Sequence, residues 1–300
     1  MSGLTREQYL GILEARLRAP EDLRSALLNR TRRPILGADG NLLMVAADHT
    51  ARGMLAVDGD PLAVADRFSL LSRLKEALDM PEVDGVLASA DVLEELAYIG
   101  ALDRKLAIGT MNRGGIIGAS WELDDRMTAY DPERIAAYGL DGGKLLLRIE
   151  DTDAGVASTL EWAGSVTSRL ADHKIMCLLE PLPYLKDASG RAYLDQSTER
   201  LVKVVAIASG LGASSAYSWL KIPASPDMKI VAAATTMPIL MLGGDPGDKT
   251  EEVFDLWKRA MDEPNVRGLV VGRALLYPRG NDIPKAVKAA AHFVHMEEGA

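Results

Sequence analysis

The chain has 300 residues, with 34 Lys+Arg against 43 Asp+Glu and a formal net charge of −9. That balance argues against a nucleic-acid surface or an anionic membrane as a partner. Hydrophobic residues make up 48% with charges interspersed, which suits a folded domain with a large core rather than a disordered chain.

The first residues mix acid and base without an apolar run, so no secretory signal is expected, and no stretch is long and apolar enough to span a bilayer. A single cysteine, Cys177 in an apolar run, excludes an internal disulfide and a cysteine zinc site, and a cytoplasmic protein is expected. Residues 5–30 read as helical, with Thr5 and Gln8 at capping-box spacing and Pro20 interrupting the pattern. They form an extension, 1–40, expected to cover the N-terminal face of the barrel region after it. From residue 41 to 290, short apolar runs alternate with amphipathic segments. The runs are 42–48, 85–89, 106–110, 144–150, 175–180, 217–222, 238–243 and 268–272. Helical segments between them include 61–79, 131–138, 155–172, 195–209 and 248–262. Continuous apolar runs suit parallel strands buried on both faces, and eight such units predict an α/β fold, a (β/α)₈ TIM barrel in one domain over 1–300. The alternative, a doubly wound open sheet, lacks a Gly-x-Gly-x-x-Gly after the first strand. A long Gly-rich loop, about 111–130, follows the third strand and reads either as a lid or as a packed surface excursion.

Chemistry in such a barrel sits where the strands finish. Here apolar runs end in Asp48-His49, Glu150-Asp151, Glu180 and Lys221. Burial lowers the pKa of an ammonium, and a neutral amine can attack a carbonyl to form a Schiff base. The plainer reading of Lys221 is a lysine that snorkels at the strand mouth or binds an anion. Alternation along the fourth strand puts Lys144, Leu146, Arg148 and Glu150 on one side. Facing inward, Lys144 would be a second cation near Lys221, or would pair with Asp48 in the core. Gly243-Gly244 and Gly272-Arg273 close the last two strands, where exposed N–H groups commonly bind phosphate and glycine pairs also serve turns. Of the four histidines only His49 ends a strand, too few for a zinc aldolase, so no metal and no cofactor are expected.

These residues resemble the class I aldolase superfamily of archaeal-type fructose-bisphosphate, tagatose-bisphosphate and deoxyribose-phosphate aldolases. The likeness is strongest to an actinobacterial and rhizobial branch of (β/α)₈ aldolase-like proteins. It covers about residues 40–290 and is carried by 47–53, 142–148, 178–183, 219–223, 242–244 and 270–273 in order. The resemblance implies a Schiff-base role for Lys221, proton shuttling by Glu180, a second lysine in Lys144 and an acidic group in Asp48. It implies a phosphate site at Gly243, Gly244, Gly272 and Arg273, with His49 among the substrate contacts, and assembly into a homo-oligomer. The archaeal-type pattern Asp-His-Gly is replaced here by Asp48-His49-Thr50-Ala51-Arg52-Gly53. Arg148, Arg52 and Arg113 are candidates for an additional anion, each with a surface salt bridge as the alternative. The implied activity is a metal-independent lyase of carbohydrate metabolism, a class I aldolase acting on a small phosphorylated carbonyl compound. The alternatives are a non-catalytic sugar-phosphate-binding barrel and an isomerase or epimerase using Glu180 and Asp48. A raised pKa is expected of Glu180 as proton carrier.

Overall fold

The computed structural model describes residues 3–243 and 250–295. Its strands are β1 (Leu42–Ala47), β2 (Gly85–Ala88), β3 (Leu106–Thr110), β4 (Gly142–Ile149), β5 (Met176–Lys186), β6 (Ala192–Leu194), β7 (Ser218–Pro223), β8 (Ile239–Leu242) and β9 (Val266–Val271). All but β6 pair in parallel, β1 joins both β2 and β9, and the β4–β5 ladder completes a closed eight-stranded barrel. The fold is a (β/α)₈ barrel. Around it run α3 (Arg67–Leu78), α4 (Ala90–Tyr98), α5 (Pro132–Ala137), α6 (Ala154–Asp172), α7 (Thr198–Ser209), α8 (Met228–Ala232), α9 (Thr250–Ala260), α10 (Arg273–Leu276) and α11 (Ile283–Val294). The loops entering α3, α5 and α11 supply Asp66, Asp131 and Asp282, whose carboxylates accept from backbone N–H groups of the first turn.

Two apolar sets divide each strand. Leu42, Met44, Ala46, Leu87, Leu106, Ile108, Met176, Leu178, Leu240 and Val270 fill the barrel interior, while Leu43, Val45 and Ala47 face the helices. This two-residue period fixes the direction of the polar groups. Asp48 continues the inward series of Met44 and Ala46. Lys144 stands in register with inward Leu178, Glu180 lies two residues beyond that leucine, and Lys221 stands in register with inward Leu240.

Helices α1 (Arg6–Arg18) and α2 (Pro20–Asn29) precede the barrel. The Thr5–Gln8 capping box forms, and Ala19 leaves the helical region as a residue before proline is inclined to do. The helices themselves pack on the flank, α2 against α4 with Arg16 paired to Glu95 at 2.7 Å. The barrel's N-terminal end is covered instead by the segment after α2. There Arg30 bonds Asp141, and Ile35 packs against the interior set.

Helices α4, α8 and α10 and the β5–β6 hairpin lie outside the segments read from the sequence. Strand β5 runs through Pro181 and Pro183, which in sequence suggest its end. The odd-numbered N–H groups of β5 point toward β7, as Cys177 N to Tyr217 O shows, and that ladder stops at Leu179–Leu220. The missing proline N–H groups therefore fall where no partner strand remains. Among the described residues, no helix is long and apolar enough to cross a membrane.

Candidate active site

Four inward positions converge near the C-terminal end of the barrel. Lys221 Nζ donates to Glu180 Oε1 at 2.6 Å. Glu180 Oε2 is held by Lys144, whose ammonium also donates to Asp48 Oδ2 at 3.3 Å. Arg113, from the loop after β3, closes on that same Asp48 oxygen. The result is a file of alternating charge, Lys221–Glu180–Lys144–Asp48–Arg113. Lys221 is 4% exposed and Lys144 is fully buried. Isolated, each of these ions would be prohibitively costly in such surroundings; paired, they are held.

The pairing sets the protonation states. Burial pushes Lys221 below the ordinary lysine range; the Glu180 carboxylate opposes this and the Arg113 guanidinium adds to it. Lys144 is pushed lower still, first by burial and then by Arg113. Burial alone would raise Glu180, but Lys144, Lys221 and Arg113 outweigh it and hold the carboxyl well below its usual range. The raised pKa expected of Glu180 is therefore not found: with a lysine on each oxygen, it rests ionised. The cation that helps keep Lys221 low is Arg113, whereas Lys144 stands beyond the shared carboxylate. Burial brings Arg113 itself down to about 10, so it stays charged at neutral pH.

The 111–130 loop is fixed by its inner half. Asn112 Oδ1 accepts from Leu146 N at 2.7 Å while its Nδ2 donates to Leu146 O and Asp125 O, so the side chain extends the β4 edge. Arg148 forks onto Asp125 at 2.7 and 3.0 Å and reaches Glu122 and the Gly115 carbonyl. A β-carbon at Gly115 would overlap Arg148 Nη2 and the Glu122 carbonyl, so only glycine fits. Ile116, Ile117 and Trp121, at the tip, are exposed. Arg148 is thus occupied by the loop itself. Arg52, in the 3₁₀ turn Thr50–Arg52 after β1, donates from Nε to Gly115 O at 3.1 Å. All three arginines are buried, which removes the surface salt-bridge alternative for Arg148, Arg52 and Arg113.

At the ends of the last two strands the picture divides. Gly243 follows β8 and backs onto Val271, and Gly244 lies outside the described residues. Gly272 leads from β9 into α10, and a β-carbon there would collide with the His49 ring and Ala46 O. Its smallness therefore admits His49, a geometric reason beside any phosphate role. Burial, then Lys221 and Arg273, push His49 down to about 3, so the imidazole is neutral. Arg273 reaches the Ala56 carbonyl at 3.4 Å.

Sequence reasoning missed Thr110, Asn112, Asp125 and Tyr184. Thr110 ends β3 in register with Lys144, and its buried hydroxyl lacks a partner, as do Asp48 Oδ1 and Arg113 Nε. A polar residue closing an apolar strand is the signal that marks Asp48, and it applies equally to Thr110. Asp125 and Tyr184 carry no local signal; the folded loop brings Asp125 to Arg148, and the β4–β5 pairing brings Tyr184. Among the described residues, no three His, Cys, Asp or Glu side chains group as metal ligands would.

Known structures share this architecture. The crystal structure of Cgl0159 from Corynebacterium glutamicum (Brevibacterium flavum) is 42% identical, with a TM-score of 0.95 over 98% of this chain and 99% of its own. A Schiff base forming fructose-1,6-bisphosphate aldolase matches at 20% identity and a TM-score of 0.64, covering 91% of this chain and 99% of that one. An archaeal fructose 1,6-bisphosphate aldolase matches at 19% and 0.64, over 92% and 100%. At those identities the two aldolases show a common fold. No curated protein matches the chain. The Cgl0159-like family model matches residues 40–291, the whole barrel, and together with the Corynebacterium glutamicum structure this makes the chain a member of the Cgl0159-like family.

Proposed function

We propose that the protein is a metal-independent class I aldolase, a lyase that makes or breaks a C–C bond in a sugar-phosphate-like substrate through an imine on Lys221. The observation that carries this reading is the Lys221 amine inside the barrel, 2.6 Å from a carboxylate that a second lysine holds from the other side. Its barrel is also that of a Schiff base forming fructose-1,6-bisphosphate aldolase.

The ammonium of Lys221 passes a proton to Glu180, and the freed amine adds to the substrate carbonyl. Glu180 moves a proton from nitrogen to oxygen in the carbinolamine, and water leaves. The positive charge that began on the ammonium ends on the iminium, so Glu180 starts and finishes as a carboxylate, consistent with its low pKa. Asp48 Oδ1 then accepts the proton of the β-hydroxyl. The O–H electron pair becomes the new carbonyl, and the C–C pair flows to the iminium as an enamine. Protonation of the enamine at carbon and hydrolysis of the second iminium return Lys221. Lys144 keeps Glu180 and Asp48 ionised and in place. Gly243, Gly272 and Arg273 anchor the phosphate beside neutral His49, fixing the carbonyl over Lys221. The superfamily resemblance supports a cytoplasmic homo-oligomer.

The test is a screen of aldehyde and ketone phosphates with borohydride and intact-mass readout. The reading requires a stable gain equal to the reduced substrate in the native protein and none in Lys221→Met. A binding protein or a simple isomerase gives no adduct in either.

A further inference from the structure

Arg52 is an arginine with an unfinished set of partners. It is 5% exposed. Its one side-chain hydrogen bond is from Nε to Gly115 O, so both Nη groups lack a partner among the described residues. No carboxylate pairs with it. Asp125, the acid whose charge acts most on Arg52, already accepts two bonds from Arg148, and Glu122 also faces Arg148, at 3.4 Å. Arg148 is thus a like charge beside Arg52 whose own charge is matched, leaving Arg52 as the buried cation without a counter-ion. Burial and that neighbour push Arg52 below the ordinary arginine range; Asp125, Tyr184 and Glu180 act in the opposite sense. These neighbours place the guanidinium toward the β4–β5 side of the barrel mouth, which the strand order puts across the barrel from the end of β9 and Gly272.

We infer that Arg52 binds a carboxylate at the end of the substrate remote from its phosphate, so that the substrate is a keto or aldehydo sugar acid phosphate. The inference rests on the reading of the Lys221 centre as a carbonyl site. A carboxylate carries one charge and matches a guanidinium fork with two parallel bonds. A phosphate dianion in the same place would meet twice the repulsion from Asp125 and Glu180 for the same single fork, Arg148 being already taken by Asp125 and Glu122. Arg52 also sits where the chain departs from Asp-His-Gly, within Thr50-Ala51-Arg52-Gly53, so the feature belongs to this sequence.

The test needs ligands without a carbonyl, so that binding is read apart from imine chemistry. Calorimetry compares 6-phosphogluconate, glucitol 6-phosphate and glucitol 1,6-bisphosphate, which differ only in the group at the far end. The native protein should bind 6-phosphogluconate at least about tenfold tighter than glucitol 6-phosphate, the range expected of a charge-assisted hydrogen bond. The bisphosphate should gain less than the sugar acid. Arg52→Gln should erase the preference and leave glucitol 6-phosphate binding unchanged, while Arg52→Lys should keep part of it. Equal or undetectable binding of the acid and the polyol by the native protein would overturn the inference. So would a bisphosphate advantage as large as that of the acid, or an equal loss for all ligands in Arg52→Gln, which would mark a loop-holding role. Failure of borohydride trapping would sink the aldolase reading and leave these affinities standing.

Discussion

The two ends of the barrel both bury ionic clusters, and they use them differently. At the N-terminal end the carboxylates paired with Arg30 and Arg33 also hold backbone. Asp141 Oδ2 accepts from Arg30 at 2.8 Å and from Ala107 N at 2.9 Å, and Asp84 Oδ2 accepts from Leu43 N at 2.7 Å. Arg30 donates to the Lys105 and Gly139 carbonyls as well. Its charges clasp strand starts to the segment after α2. At the C-terminal end Lys221, Glu180, Lys144 and Asp48 bond one another and no backbone, and Asp48 Oδ1 and Thr110 Oγ1 are left open. Arginine pairs whose carboxylates also hold backbone N–H groups stabilise, even with Arg30 Nε left without a partner. Lysines sharing carboxylates, with Asp48 Oδ1 and Thr110 Oγ1 left over, are what the proposed proton exchange with a bound substrate requires.

The sharpest break between the ends comes from removing one cation or one anion at each. Lys221→Met should lower C–C cleavage by at least about 10⁴-fold, the scale for loss of a covalent nucleophile, with the melting transition retained. Asp141→Ala should do the reverse. It strands Arg30 in the interior and releases Arg32 and the Ala107 N–H, at a cost of about 3–5 kcal/mol in urea unfolding, while the surviving folded protein keeps native turnover. A large activity loss in folded Asp141→Ala would erase the distinction.

The division of labour is partly legible in the sequence. Continuous apolar runs closed by polar residues are a local signal that locates all eight barrel strands with Asp48, Glu180 and Lys221, and alternation along the fourth strand adds Lys144. Contacts made by irregular chain are not legible. Arg113 reaches Asp48, and Arg148 reaches Asp125, only because the 111–130 loop folds inward over Gly115. The pKa expected of Glu180 fails for the same reason. Burial suggests a raised value, and the decisive cations come from β4, β7 and that loop.

A smaller, pH-dependent contrast lies at the clasp. His295, ending α11, bonds Asp39 at 2.6 Å, Asp84 at 3.2 Å and the Glu82 carbonyl at 3.1 Å. Burial alone would lower its pKa, but Asp84 and Asp39 raise it to about 9. A raised folded-state pKa contributes stability that is full below the unfolded value of about 6.5 and is lost as pH rises through about 9. His295→Ala should therefore cost on the order of 1–3 kcal/mol at pH 6 and little at pH 10, read by urea unfolding at both. A loss independent of pH would assign His295 a packing role.

The smallest effect is at the mouth. Because Arg113 helps depress Lys221, Arg113→Gln should move the alkaline rise in borohydride-trapping rate to higher pH, with trapping still on Lys221. An unmoved profile would leave burial as the sole cause.

Two amines compete for the central role, since Lys144 and Lys221 both bond Glu180 and both sit below the ordinary lysine range. Lys144 is braced by two carboxylates and sealed from solvent; Lys221 has one and keeps a slight opening. Peptide mapping of the borohydride-reduced adduct decides between them. The label should fall on Lys221 alone, and a label on Lys144, or none with any carbonyl phosphate, would contradict the account.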